Sequence, residues 1–83
     1  MDRKIVADKV IGCVADHFSI GAEKVSETTA VGGLNGWDST THVSLILGLE
    51  ETFGVEFDVA KIGSVQSVGD IIDLCSSAVS QQA

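Results

Sequence analysis

The 83-residue chain is poor in basic residues, since it has five lysines and arginines against twelve aspartates and glutamates, for a formal net charge of −7. The imbalance lies in residues 38–83, where Lys61 is the one base beside seven acids. Such a surface repels nucleic-acid phosphates, so the composition argues against nucleic-acid binding. It would attract basic patches on partner proteins, although a role in solubility alone also accounts for it.

Long apolar runs are missing as well. No run approaches the roughly 20 apolar residues that a membrane-spanning helix needs. The first ten residues, MDRKIVADKV, lack the continuous apolar core of a signal peptide. We therefore expect a soluble, cytoplasmic and monomeric protein. The length predicts one small domain over residues 1–83 that stands alone.

Cysteine is scarce, with Cys13 and Cys75 near opposite ends of the chain. Both fall in apolar helical patterns, which favours buried, reduced thiols, while a disulfide between the end helices stays open from sequence. Cys13 and His17 are four residues apart and could share a helix face. Because no C-x-x-C motif or second histidine pair completes a ligand set, we expect no metal site.

Apolar residues at a spacing of four predict a first helix over residues 3–18, with Asp2 as its cap. A long glycine-rich loop, about 19–37, follows. A second helix is predicted from Ser39 to Phe53, with Asp38 as N-cap. Its predicted apolar face comprises Val43, Ile46, Leu47, Leu49 and Phe53.

Beyond the second helix, Gly54 suits a helix end and the stretch VEF suits an extended loop. A short helix is predicted at about 58–63. The last helix is predicted to start near Ser64 or Ser67, where S-x-x-D fits a capping box. Three long helices and one short one indicate an all-α fold, a small helical bundle. Glycines inside the long helices predict close helix–helix approach; they are Gly12, Gly48 and Gly69.

Ser39 follows an acid at the predicted start of the second helix, and several roles compete for it. It could be an ordinary first-turn residue, a phosphorylation site or a nucleophile paired with His42. The nucleophile also needs an oxyanion hole and a pocket, for which a small bundle has little room, so we expect no enzyme and a solvated His42. Alternatively, Ser39 carries a phosphodiester-linked group, favoured by helix N–H groups and the helix dipole. Asp38 would then help to bind Mg²⁺ or orient the hydroxyl during transfer.

Two longer stretches, GWDSTTHVSLILGLEETFGVEF and SVQSVGDIID, together resemble the acyl carrier protein family. Its members read D-S-L at the start of their second helix and continue through an apolar run to E-E-x-F, matched here by Glu50, Glu51 and Phe53. A T-V-x-D-like sequence announces their last helix, as SVQS does here. The resemblance covers the chain from the first helix to Val79.

The resemblance implies a four-helix bundle with a short third helix and a long loop between helices one and two. It implies that Ser39 carries 4′-phosphopantetheine, which a phosphopantetheinyl transferase takes from coenzyme A. Cargo then rides on the arm's thiol as a thioester, and the carrier itself does no chemistry. The family's cargo cleft lies between the second and third helices. Candidate wall residues here are Ile46, Leu47, Leu49, Phe53 and Ile62, although plain core packing is the favoured interpretation for each of them.

The chain departs from the family pattern beside Ser39. The usual leucine is Thr40, and Thr41 and Ser44 replace acids of the housekeeping fatty acid carriers. These changes indicate a specialised pathway. The residues expected at the arm, besides Ser39, are Trp37, Asp38 and Thr40, with Trp37 also a candidate packing lid. Those expected to meet partner enzymes are Thr41, His42, Glu50, Glu51 and Glu56.

Expected partners are the transferase, an acyl- or aminoacyl-loading ligase, and downstream transferases or synthases. Two other functions stay open from sequence. One is an aminoacyl or peptidyl carrier loaded by an adenylating ligase. The other is an unmodified helical docking module, which the change to Thr40 keeps under consideration.

Overall fold

Helices account for most of the protein in the computed structural model, which describes residues 2–34 and 36–82. Met1, Asn35 and Ala83 of the predicted domain therefore lie outside the described residues. The helices are α1 (Arg3–Phe18), α2 (Ser39–Phe53), α3 (Val59–Ser64) and α4 (Val68–Gln82). The connection between α1 and α2 is irregular apart from one 3₁₀ turn, Ala22–Lys24. The all-α prediction with a short third helix is confirmed.

The helix ends lie where local sequence chemistry places them. The Asp2 side chain accepts a hydrogen bond from the Lys4 amide at the start of α1, and Asp58 does the same for Ala60 in α3. Gly54 ends α2 in the left-handed conformation, with φ of 65°, as glycine allows without strain. The predicted bounds of α1 and α2 are therefore confirmed.

The start of α4 is built jointly with the long loop. The Ser67 hydroxyl accepts from the Asp70 amide at 3.3 Å, but the Asp70 carboxylate accepts from Gln66 rather than from Ser67. One half of the predicted capping box, the bond from the Asp70 amide to Ser67, is therefore present, and the other half is shifted by one residue to Gln66. The loop also pairs with this turn, because the Val68 amide donates to the Thr29 carbonyl at 2.9 Å. This pairing fixes the loop against α4.

The prediction that glycines mark close helix–helix approach is wrong. A Cβ at Gly12 or Gly48 would meet no atom within 4 Å. A Cβ at Gly69 would lie 3.1 Å from the Glu27 carbonyl oxygen, so this glycine admits the loop and not another helix. The Gly69 amide in turn donates to that carbonyl at 2.8 Å.

The core lies between α1, α2 and α4, and α1 packs most extensively against α4. On α2 the buried residues are Leu45, Ile46 and Leu49. Val43 and Leu47, which were predicted on the buried face, are 52% and 56% exposed. That prediction is wrong for both. The fully buried side chains are Val6, Val10, Val14, Ile46, Leu49, Val68, Ile71, Ile72 and Cys75.

Both cysteines are free thiols, and they differ in environment. Cys75 is fully buried, and this desolvation raises the pKa of its thiol to about 12, with a smaller contribution from nearby Cys13. Cys13 is only half-buried at the side of α1 that faces Thr52.

We expect iodoacetamide to alkylate Cys13 in the folded protein and to reach Cys75 only after unfolding, because the thiolate is the reactive form. Intact-mass spectrometry of the native protein should show one adduct, and addition of urea should give two. In a Cys13→Ser variant the native adduct should vanish. Alkylation of Cys75 at a similar rate in the folded state would contradict this expectation.

Within the described residues, no helix is both long enough and apolar enough to cross a membrane.

Candidate functional site

Ser39 is the first residue of α2, and it is exposed. Its position is set by a reciprocal capping box around it. The Thr41 amide donates to Asp38 Oδ1 at 3.0 Å, and the Asp38 amide donates to Thr41 Oγ1 at 2.8 Å. Ser39 therefore projects from a turn that is held from both sides.

Thr41 also reaches back into the preceding loop. Its hydroxyl donates to the Gly36 carbonyl at 2.8 Å, and Gly36 has a φ of 88°, a conformation that favours glycine. Thr41 was expected to meet partners, but its hydroxyl is engaged inside the protein. The D-x-x-T spacing of Asp38 and Thr41 is the signal that sequence reasoning missed.

Asp38 keeps a negative charge next to the Ser39 hydroxyl. The hydrogen bond from the Thr41 amide is the main cause that lowers the pKa of Asp38, and partial desolvation of the carboxylate opposes it. The same hydrogen bond occupies an amide of the first helical turn. The N-terminus of α2 therefore has fewer free amides to bind a phosphate than the sequence suggested. The nearest charged side chain, Asp38, is negative.

A cleft of about 510 Å³ lies beside Ser39, between the loop, α2 and α3. Its apolar lining comes from Val31 and Trp37 of the loop, Val43 of α2, Ile62 of α3 and Val65 just after α3. Thr40 is exposed and does not line it. The lining residues are Val31, Gly32, Trp37, Asp38, Ser39, His42, Val43, Ile62, Gly63 and Val65.

Of the five predicted wall residues, only Ile62 lines this cleft. Ile46 and Leu49 are core residues that are at most 1% exposed. Phe53 packs against the core from the far end of α2, and Leu47 lies on another surface. Core packing, the favoured interpretation, is thus confirmed for Ile46, Leu49 and Phe53, and neither interpretation holds for exposed Leu47. α2 presents Val43 and His42 to the cleft instead.

Trp37 joins the loop to the core beneath the cleft. It is 6% exposed, and its ring centroid lies 5.1 Å from that of Phe18. Its indole N–H donates to His42 Nδ1 at 3.1 Å. This burial fits the expected packing lid, and Trp37 also lines the cleft beside Ser39, so its contact with the arm stays a prediction.

His42 was expected to be solvated, and that expectation is wrong. The ring is half-buried and is stacked near Trp37, with centroids 6.1 Å apart. Its other nitrogen, Nε2, lies 3.3 Å from the Ile62 carbonyl oxygen. The contacts of His42 are thus internal, and they reach both neighbouring elements.

A second concave surface, of about 580 Å³, lies elsewhere on α2 around exposed Leu47. Glu51 and Glu56 are exposed there. Glu50 is half-buried, and its Oε2 accepts from the Phe57 amide at 3.0 Å, so part of this carboxylate holds the following loop. The lining residues are Ser44, Leu47, Gly48, Glu50, Glu51, Val55 and Glu56, hereafter the acidic patch.

A third pocket, of about 270 Å³, contains the Cys13–His17 pair between α1 and α2. Asp16 also lines it. Among the residues that the structure describes, however, no three His, Cys, Asp or Glu side chains come together as a metal site would require.

No protein-family model matches the chain. Curated relatives do: "Acyl carrier protein" of Sinorhizobium fredii and "Acyl carrier protein AcpP" of Rhizobium meliloti are each 37% identical over 73 residues. Each alignment covers 88% of this chain and 94% of the relative. A solved structure, the holo acyl carrier protein from Geobacter metallireducens, has a similar fold, with a TM-score of 0.82 at 22% identity. The structural alignment covers 93% of this chain and 88% of the Geobacter protein.

Proposed function

Because this chain belongs to the acyl carrier protein family, we propose that it carries acyl groups as thioesters on a 4′-phosphopantetheine arm attached to Ser39. Proteins of this family are carriers and not enzymes, and they bear that arm covalently. The arm supplies the thiol on which cargo is held. The protein supplies the attachment point, the cleft and the docking surface.

The observation that supports Ser39 best is its position. Its hydroxyl is exposed at the first residue of α2, and the same residue borders the 510 Å³ cleft. An arm on this oxygen would start at the cleft mouth, from which cargo can enter the cleft or extend into a partner enzyme. Ser44, one turn further along α2, is also exposed but borders other surfaces.

Attachment is a phosphoryl transfer that leaves the rest of the protein unchanged. The Ser39 oxygen attacks the β-phosphorus of coenzyme A, a new P–O bond forms, and the phosphoanhydride bond breaks to release 3′,5′-ADP. A base on the transferase takes the serine proton. Asp38, held as a carboxylate by the Thr41 amide, would be the residue of this chain that helps to hold Mg²⁺, and the ion would neutralise charge on the phosphates.

A shared Mg²⁺ ion also resolves a conflict of charge. A phosphodiester on Ser39 would lie beside the Asp38 carboxylate, and two neighbouring negative charges repel each other. A divalent cation between them removes that repulsion. Since the described residues form no complete metal site, the remaining ligands would come from the transferase and from coenzyme A.

Acyl carrier proteins work with a phosphopantetheinyl transferase and acyl-handling enzymes. We assign their docking to the acidic patch, where exposed Leu47 lies beside Glu51 and Glu56. Charges at the rim speed encounter with basic partners, and a central apolar residue supplies affinity. Thr41 and Ser44 stand where housekeeping carriers have acids, which weakens the charge near Ser39 and favours a specialised pathway. We propose that the protein works in the cytoplasm.

The test is intact-mass spectrometry after incubation with coenzyme A, Mg²⁺ and a broad-specificity phosphopantetheinyl transferase. We expect the wild type to gain the mass of one phosphopantetheine. Ser39→Ala should gain none, because it lacks the attacking oxygen, whereas the matched variant Ser80→Ala, at an exposed position of α4 outside the cleft and the acidic patch, should be modified normally. The gain should also require Mg²⁺.

Circular dichroism would show that both variants are folded. A mass gain on Ser39→Ala would move the attachment point elsewhere. Failure of the wild type, with a transferase that modifies a known carrier in the same tube, would instead favour the unmodified docking module.

A further inference from the structure

His42, on α2, is hydrogen-bonded both to the loop that precedes α2 and to α3. It lies three residues beyond Ser39 on α2, so both side chains are on the cleft side of the helix. Its Nδ1 accepts from the Trp37 indole at 3.1 Å, and its Nε2 lies 3.3 Å from the Ile62 carbonyl oxygen. We call this pair of hydrogen bonds the His42 bridge.

The two partners in the bridge determine which nitrogen of the His42 ring carries the proton. An indole N–H can only donate, and a carbonyl oxygen can only accept. Nδ1 must therefore carry a lone pair, and Nε2 must carry the proton that points to Ile62. A second proton, on Nδ1, would face the Trp37 N–H and would break that half of the bridge.

α3 has few other attachments. Of its described side chains, only Ile62 is even half-buried, and the others are exposed. Its remaining hydrogen bonds are the Asp58 cap and bonds within the helix, such as Ser64 Oγ to the Lys61 carbonyl. Among the described residues, His42 gives the one side-chain hydrogen bond that joins α3 to another element.

Resting on the carrier function proposed above, we propose that His42 is a specificity-determining residue, which ties α3 to the Trp37 loop and limits how far cargo enters the cleft. A short acyl group fits beside the intact bridge. A long alkyl chain that runs deeper, between α2 and α3, must separate Ile62 from His42 and so break the bridge. The bridge therefore favours short cargo, or long cargo that stays exposed for a partner enzyme.

Few charged groups surround the ring. Asp38, on the N-terminal side of α2, lines the same cleft. From α3, Lys61 precedes Ile62 and is exposed, and the described loop residues that line the cleft carry no charge. His17 lies further off and contacts Phe18, which packs on Trp37. His17 is the one other histidine of the chain, so it is the necessary control.

The first test needs no arm. The Ile62 amide donates to the Asp58 carbonyl at the start of α3. In His42→Ala this amide should exchange with water about fivefold faster by NMR, because α3 opens more readily once the Ile62 carbonyl loses a hydrogen bond of about 1 kcal/mol. His42→Gln should restore the wild-type rate, because its amide oxygen can accept from Trp37 and its NH₂ can donate to Ile62. His17→Gln should leave the rate unchanged.

Acidification gives a signature that a purely packing role would not. The indole N–H resonance of Trp37 is unambiguous, since the chain has one tryptophan. It should shift on acidification in the wild type and in His17→Gln, but not in His42→Gln. An unchanged Ile62 exchange rate in His42→Ala, or an indole shift that follows His17, would overturn the proposal.

The cargo test uses wild type, His42→Ala and His42→Gln loaded with butyryl or lauroyl arms. Hydroxylamine should cleave the lauroyl thioester several-fold more slowly in His42→Ala than in the other two, and the butyryl thioester equally in all three. Equal lauroyl rates would overturn the role in specificity. If no arm can be attached at all, the mass spectrum reports that failure separately, and the exchange and indole measurements decide whether the bridge exists.

Discussion

Replacing Trp37 by alanine should lower the free energy of unfolding by about 3–5 kcal/mol, as is usual for a large buried aromatic residue. The side chain is 6% exposed, stacks near Phe18 and donates its indole N–H to His42. Its loss leaves a cavity beneath the cleft and frees the loop before α2. Since small domains have margins of about 5–15 kcal/mol, this change threatens folding itself.

Urea denaturation followed by far-ultraviolet circular dichroism is the suitable measurement, because the variant retains no tryptophan for fluorescence. Trp37→Phe is the matched control. It keeps an aromatic ring against Phe18 but loses the donor to His42, so its cost should be nearer 1 kcal/mol. A loss of under about 1 kcal/mol for the alanine variant would show that the loop does not depend on this side chain.

The helix bounds could be predicted from sequence because each depends on adjacent residues. Asp38 and Gly54 mark the two ends of α2 through a side-chain cap and a left-handed residue. Neither effect needs knowledge of the rest of the fold. The same holds for Ser39, which is exposed because it occupies the first turn after such a cap.

The faces of α2 could not be predicted, because burial depends on what packs against the helix. Apolar periodicity alone placed Val43 and Leu47 with Leu49 in the core. The short α3 leaves Val43 beside an open cleft, and Leu47 lies among exposed acids. The family resemblance predicts a cleft between the second and third helices, but it does not predict which side chains line that cleft in this chain.

The inward contacts of Thr41 and His42 were missed for a related reason. Both residues are polar and lie next to Ser39, a position that suggests contact with partners. Thr41 instead completes a capping box, for which the D-x-x-T spacing is a local signal. The His42 bridge has no such signal, because its acceptor on Ile62 is 20 residues away in the chain.

Two leucines of α2 test this assignment of faces directly, since sequence reasoning treated them alike. Leu49 is 0% exposed, whereas Leu47 is 56% exposed. Leu49→Ala should lower the free energy of unfolding by about 2–5 kcal/mol, because it removes buried methyl groups and leaves a cavity. Leu47→Ala should change it by no more than about 0.5 kcal/mol, as is typical for surface positions.

For recognition by the transferase, we expect the opposite order: Leu47→Ala should be impaired and Leu49→Ala should not. Leu47→Ala removes the apolar centre of the acidic patch, so kcat/KM for modification by the transferase should fall about tenfold, as for a modest interface hot spot. Leu49→Ala, assayed at a temperature where circular dichroism shows it folded, should be modified at nearly the wild-type rate. If Leu47→Ala were modified normally and only Leu49→Ala were impaired, the acidic patch would not be where the transferase docks, and the docking surface would have to be sought beside the cleft.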